Sequence, residues 1–368
     1  MRIVVVGAGA VGSLLGAMLA RGGAEVAFVA RGETRDRLRS VGVDAAGPDG
    51  ALHQGPFEAE AEPDRVAPAD AVFVSVKSFQ LRALAPRLAP LLRPEGVIVS
   101  LLNGIDASDV LAEAIGDAPV LGGLCHVLAS STGPAQVAWK GLPLRVALGE
   151  LAGGSSARVE RLGEALRAGG VTVSIEPNIR VALWEKLLFV GPLGMVGAAT
   201  SLPPSRTREL LEAAMHEVRR VAAARGVTVP EASVAAALAR VDALPEGSRT
   251  SMHRDLDANR PSELGEQVGT IARLARELSV DAPIHRVLYA VLSARAGLPA
   301  TPLLGSSELI FPARTPPFAA TERSIRRLRA RRTCLLSSGS GRRPSRPLRS
   351  AGARRSTASR GPRTSDIA

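Results

Sequence analysis

The first sixteen residues, MRIVVVGAGAVGSLLG, limit the possible folds more than any other stretch of this chain. Ile3 to Val6 form an unbroken apolar run that reads as a buried strand. Gly7, Gly9 and Gly12 follow at once, and Ser13 to Ala20 has helical character. Glycines spaced G-x-G-x-x-G between a strand and a helix form a dinucleotide-binding pattern. Gly7 permits the tight turn. Gly9 lets a pyrophosphate approach the backbone, Ala10 and Val11 carry the loop into the helix, and Gly12 lets helix and strand pack closely. The first helical amides and the helix dipole then face the anion. Flavin enzymes share this fingerprint, so it identifies a dinucleotide and leaves the reaction open.

A second apolar run, Val26 to Ala30, ends at Arg31, nineteen residues beyond Gly12. Sites selective for NAD place an acid near this position to hold the ribose 2′-hydroxyl. An arginine suits a 2′-phosphate, so NADPH is the expected cofactor. The bland alternative is a solvated arginine at a strand end, because Arg35, Arg37 and Arg39 follow closely.

With 368 residues, the chain is long enough for two domains. Residues 1–177 alternate apolar strands with helices, among them Ala69 to Val76, Gln80 to Leu92, Val97 to Leu102 and a strand at Val120 to Gly123. Val137 to Gly149 reads as a hairpin around Gly141. This alternation predicts an α/β Rossmann-type dinucleotide-binding domain with a mainly parallel sheet. Residues 178–300 change to helical periodicity and predict an all-α C-terminal domain. Within it, Ser262 to Leu278 reads as one amphipathic helix.

The net charge of +11 resides in the tail. Residues 303–368 hold 15 Arg and 3 acids, whereas the body before them is nearly neutral. The tail is expected to be disordered. Arg323 to Arg332 could form a basic helix that touches nucleic acid or an acidic membrane, but no aromatic residue for base stacking follows Phe318, and neither partner is expected. The other readings are a solvated tail or a non-native C-terminus. Two cysteines, Cys125 and Cys334, support no disulfide framework and fit a reducing cytoplasm. No metal-ligand cluster is visible. Leu187 to Ser205 is uncharged, but it reads as a buried helix rather than a membrane span. A homodimer through the helical domain and a monomer are both compatible with the sequence.

Ligands in open α/β sheets lie beyond the carboxyl ends of the strands. Arg31, Lys77 and Asn103 each follow an apolar run and are candidates for that crevice. In the helical region, Lys186 sits in the apolar segment ALWEKLL. Its alternatives are a lysine reaching the helix edge or pairing with Glu185. Glu263 follows Ser262 at an expected helix start, where simple capping is the alternative.

Together these residues make the chain resemble the ketopantoate reductase (2-dehydropantoate 2-reductase) family. The resemblance covers about residues 1–298. It rests on GAGAVG with Arg31, Val76-Lys77 with Gln80, Asn103-Gly104, Trp184-Glu185-Lys186-Leu187, Ser251-Met252 with Asp255, and Glu263. It implies NADPH-dependent reduction of the ketone of a small 2-oxo acid, as in pantothenate biosynthesis. Lys186 would be the proton donor and Glu263 would hold the substrate hydroxyl end. Asn103 would position substrate and Lys186, and Ser251 would bind the carboxylate region. Arg31 and Gln80 would contact the adenosine phosphate side, and Lys77 would lie near the nicotinamide. One departure bears on substrate identity. The family pattern has asparagines four and eight residues after the lysine, where this chain has Val190 and Gly194. The alternative is a sister NADPH-dependent reductase of another 2-oxo acid, bulkier or more apolar, or of an imine. A non-catalytic nucleotide-binding regulator is the alternative from another class.

Overall fold

A computed structural model describes residues 1–48 and 50–298 of the chain. The basic tail, including Arg323 to Arg332, lies outside the described residues.

The opening strand β1 (Arg2–Val6) is buried along its whole length, which is why it carries β-branched residues on both faces. It leads through the glycine turn to α1 (Ala10–Arg21), then β2 (Glu25–Val29) and α2 (Gly32–Ser40). The polar stretch after α2 forms a hairpin, β3 (Val43–Gly47) and β4 (Gly50–Gln54), followed by the short edge strand β5 (Glu58–Glu60). Then come β6 (Ala69–Val74), α3 (Ser78–Leu84), β7 (Leu92–Ser100) and α4 (Ala107–Ile115). Gln80 to Leu92 was expected as one helix. Instead α3 stops at Leu84 and two short 3-10 turns follow, each with a proline, Pro86 or Pro90, near its start. Proline lacks the amide needed to continue an α-helix.

The second correction concerns the strands after α4. β8 (Val120–Gly133) is longer than expected, and β9 (Gln136–Glu150) is a single strand rather than a hairpin around Gly141. The true hairpin joins β8 to β9, with irregular register near His126 and Ser131. α5 (Ala157–Ala168) and β10 (Thr172–Ile175) complete a ten-stranded sheet. Its order is β4-β3-β9-β8-β7-β6-β1-β2-β5, with β10 also beside β9. Only the β3–β4 and β8–β9 pairs are antiparallel, so the sheet is mainly parallel, as the alternation predicted. Strands β1, β2, β6 and β7 all run the same way, so Gly7, Arg31, Lys77 and Asn103 gather beyond their carboxyl ends.

From Asn178 onward the described chain is helical: α6 (Ile179–Thr200), α7 (Arg208–Ala224), α8 (Glu231–Asp242), α9 (Ser251–Asp257), α10 (Thr270–Glu277) and α11 (Pro283–Arg295). The Asn178 side chain accepts from the Val181 amide and starts α6. α6 is long and apolar enough to cross a membrane by length and composition, yet most of it is buried as the core helix of this region. It runs without a break through Pro192. The single helix expected over Ser262 to Leu278 is instead a π-helical turn, Gly265–Gly269, passing into α10. Leu264, Val268, Ile271, Leu274 and Ala275 are buried as expected, but Leu278 is exposed.

One polar contact inside this apolar core fixes α11. Glu217 on α7 is almost fully buried. Its carboxylate accepts from the amides of Ile284 and His285 and from the His285 ring Nδ1, at 2.8, 2.9 and 2.7 Å. Burial pushes the Glu217 carboxyl up, but these hydrogen bonds outweigh it and hold the group below its ordinary 4.5. The stabilisation is therefore complete above pH 4.5 and is lost as pH falls through the lower folded value. Glu217→Gln is expected to cost about 2 kcal/mol at neutral pH. Denaturant unfolding at several pH values checks this, and the gap between wild type and variant should narrow with acid. An equal gap at pH 7 and in acid would disprove the electrostatic account.

Candidate active site

The glycine turn is built to leave a backbone surface open. Gly7 adopts φ +99°, and its amide donates to the Val29 carbonyl at 2.9 Å. A Cβ on Gly12 would lie 1.9 Å from the Gly7 carbonyl oxygen, so only glycine allows this approach of helix and strand. A Cβ on Gly9, by contrast, meets nothing within 4 Å. The space beyond Gly9 is thus empty of protein. Gly9 offers no side chain to cap α1, and the first turn of α1 has no acid. Free amides, the positive end of the helix dipole and open space fit a pyrophosphate. Ala10 and Val11 form the first turn of that helix.

Arg31 lies just beyond β2, with an exposed side chain. Its guanidinium bonds the Ala61 carbonyl and pairs with Glu62 at 3.1 Å. Glu62 also accepts from Arg87 at 2.7 Å. Arg87 first, and Arg31 with it, hold the Glu62 carboxyl below its usual range. The described residues thus supply Arg31 with an anion of their own.

Lys77 and Gln80 are placed less simply than the sequence suggested. Lys77 Nζ reaches across to Asp255 on α9 at 2.8 Å, and Asp255 also accepts from Arg260. Burial raises the Asp255 carboxyl, but Lys77 and Arg260 together leave it below its usual range. The Gln80 side-chain oxygen accepts from the Lys77 amide at 3.1 Å and so caps α3. That oxygen is engaged in structure, although the residue is exposed.

Glu263 is buried and does not cap its own helix. One carboxylate oxygen accepts from the Ser78 amide and hydroxyl at 3.2 and 2.7 Å. The other accepts from Asn103 Nδ2 at 3.0 Å and Gln267 Nε2 at 3.1 Å. Glu263 thereby ties the β6–α3 loop and the end of β7 to the helical region. The orientation of the Asn103 amide follows, since the carboxylate demands its donor side.

Lys186 on α6 is buried, and no hydrogen bond or ion pair engages its Nζ among the described residues. The pairing with Glu185 is not formed, because Glu185 accepts from Ser233 at 2.6 Å. The charges of Lys186 and Glu263 act on the thiol of Cys125 in opposite directions. Burial pushes that thiol up, so Cys125 is a poor nucleophile. His126 is pulled down to about 4, first by desolvation and then by the charges of Lys186, Arg240 and Arg145. It is neutral at pH 7. Ser251 opens α9 with an exposed side chain. Val190 is half-buried one turn beyond Lys186, and Gly194 is buried a turn further.

Sequence reasoning missed Ser78, Gln267 and His126. Gln267 stands four residues after Glu263, a spacing that marks neighbours on a helix and could have found it. Asp255 appeared only within a motif and had no assigned partner. Nothing in the local sequence signals His126.

A glycine turn that fits a pyrophosphate, an exposed arginine just beyond β2 and a buried lysine on α6 suit one class, an NADPH-dependent oxidoreductase acting on CH–OH groups. Residues 3–153 match the family model Ketopantoate reductase PanE/ApbA, and residues 178–296 match its C-terminal counterpart. The chain belongs to the ketopantoate reductase family. It is 32% identical to a 2-dehydropantoate 2-reductase of Halobacterium salinarum, over 78% of this chain and 96% of that protein. Its fold is similar to the crystal structure of a PanE/ApbA family ketopantoate reductase from Ralstonia eutropha. That match has a TM-score of 0.73 and 29% identity, covering 81% of this chain and 99% of the other. A D-mandelate dehydrogenase structure with NADH and anilino(oxo)acetate matches with TM-score 0.73 at 22% identity, a likeness of fold, over 81% of this chain and 99% of that one.

Arg31→Ala should raise the KM for NADPH about tenfold and leave that for NADH unchanged, the size expected of one exposed charge-assisted contact. Steady-state kinetics with both nucleotides test this. Equal effects on the two would show that Arg31 does not read the phosphate.

Proposed function

We propose that this chain reduces ketopantoate to pantoate with NADPH, and that Lys186 donates the proton. The observation that carries the reading is a buried lysine on the apolar core helix α6, whose amine has no hydrogen-bond or ion-pair partner among the described residues. Residues 1–177 are taken as the cofactor domain and 178–300 as the substrate domain, because β10 ends at Ile175 and α6 begins at Ile179. A reducing cytoplasm is the proposed location, supported by the free buried thiol of Cys125.

When bound, NADPH supplies the hydride for the carbonyl carbon. Negative charge then grows on the carbonyl oxygen as the C=O π bond breaks. Lys186 stabilises that charge and transfers a proton from Nζ to the oxygen, closing the O–H bond. Burial of Lys186 in an apolar helix strengthens its effect on the oxygen. His126 does not compete as the acid, since it is already neutral at pH 7. Asn103 has its amide nitrogen committed to Glu263, and its amide oxygen is left to orient substrate or Lys186. Ser251 offers an exposed hydroxyl to the carboxylate region. Lys77 borders the nicotinamide end, where Asp255 holds it. Glu263 acts here first as a positioning group, through the four donors it already gathers. A sister 2-oxo acid is the second reading, favoured by the absence of a polar side chain at Val190 and Gly194.

Lys186→Ala should lower kcat by at least about 10²-fold, the scale of a general acid, while NADPH binding persists. NADPH oxidation with ketopantoate, alongside fluorescence titration of the cofactor, measures both. Turnover at the wild-type rate would remove Lys186 from the chemistry.

A further inference from the structure

Two independent features bear on how the part of the substrate remote from the reacting carbonyl would be received. The first is the face of α6 that carries Lys186. Residues four and eight positions on share that face. They are Val190, half-buried, and Gly194, buried, so no polar side chain stands there for two turns beyond the lysine. α9 closes over the second position. An ideal Cβ on Gly194 would lie 2.6 Å from Met252 Cε and 2.7 Å from Thr250 Oγ1. Met252 is a flexible neighbour, but Thr250 is not free to move, because its hydroxyl accepts from the His253 amide at 3.2 Å and caps α9. At Gly197, a Cβ would lie 2.8 Å from the His253 ring nitrogen Nδ1. The two helices therefore lie close along these glycines, and an amide side chain at 194 has no room. Val190, half-buried, is the side chain that this face of α6 carries one turn beyond Lys186.

The second feature is the state of Glu263. A carboxylate offers about four acceptor positions. Ser78 fills two, Asn103 one and Gln267 one, all between 2.7 and 3.2 Å. All four donors come from this chain. A substrate hydroxyl that sought Glu263 would have to displace one of them and leave a donor unpaired in a buried place.

We infer that this site selects 2-oxo acids by a branched apolar side chain and does not read a hydroxyl at its far end. The inference rests on the reductase reading above and narrows it. The ketone and carboxylate are recognised as proposed there. The carbon skeleton next to the ketone packs on Val190, and the terminal hydroxyl of ketopantoate finds no dedicated partner.

The test compares ketopantoate with 3,3-dimethyl-2-oxobutanoate, which has the same carbon skeleton and lacks only the hydroxyl. A site built to bond a hydroxyl rejects the analogue without it by about 10⁴–10⁵-fold, whereas an apolar pocket separates such a pair by about 10²-fold at most. The expected ratio of kcat/KM is close to one. A preference for ketopantoate above about 10²-fold overturns the inference. Val190→Asn, which restores a polar group to this face, should raise the ketopantoate-to-analogue ratio roughly threefold or more, the worth of one added hydrogen bond. An unchanged ratio would show that this face of α6 does not meet the substrate. Glu263→Gln should lower kcat for both acids alike, as loss of a positioning clasp would. A loss confined to ketopantoate would show that Glu263 reads the hydroxyl, and the inference would fall. Turnover of neither acid by wild-type protein that binds NADPH removes the reductase reading itself. That outcome is distinct from turnover of ketopantoate alone, which removes only the inference.

Discussion

The Glu263 carboxylate is the joint on which this active site turns. One buried anion gathers donors from the start of α3, the end of β7 and its own helix. A buried charge is tolerable only when its acceptor positions are filled, and here the filling comes from opposite sides of the cleft. The sheet supplies Ser78 and Asn103, and the helical region supplies Glu263 and Gln267. The contact between Lys77 and Asp255 repeats this arrangement with a cation from the sheet side and an anion from α9. The two regions are thus held together by polar contacts at the cleft itself, buried at Glu263 and half-exposed at Lys77, and not by apolar packing alone. The geometry around Lys186 consequently depends on residues that need not touch the reacting atoms.

The cofactor half of the fold was legible because its signals are local. A β-branched strand, a glycine turn and a helix occupy the first twenty residues, and each piece has its own steric requirement. Parallel order followed from alternation, and strand ends named Arg31, Lys77 and Asn103. Failures arose where local pattern and tertiary demand diverge. Gln80 to Leu92 has helical character, yet two prolines divide it after Leu84. Residues 136–150 contain a glycine with φ +76°, which reads as a turn but sits inside one strand, in the irregular stretch between Lys140 and Arg145 where the register with β8 shifts.

The helical half was legible in kind and less so in detail. Apolar spacing announced the helices, but it did not reveal the π-helical turn at Gly265–Gly269, directly after Glu263. Such turns shift the helix register by one residue, and they often occur at functional sites. Lys186 stood out because a lysine in an apolar run demands a reason. Gln267 did not stand out, since a glutamine on a helix is ordinary until its partner is known. The contacts that complete the cleft join residues far apart in sequence, 185 positions in the case of Ser78 and Glu263. No local pattern encodes them.

Glu62 gives the cofactor crevice a property of a different kind. Beside Arg31 and Arg87 it acts as a resident counter-anion where the 2′-phosphate is proposed to sit. A phosphate arriving there exchanges one negative partner for another and does not neutralise a bare cation. Part of the attraction would be given back in displacing Glu62, so a phosphate bound as proposed would be held less tightly than by an isolated arginine. The same carboxylate is at hand to reclaim Arg31 when the oxidised nucleotide leaves. A weakened grip of this sort favours exchange of spent for fresh cofactor, and turnover benefits from easy exchange more than from tight retention.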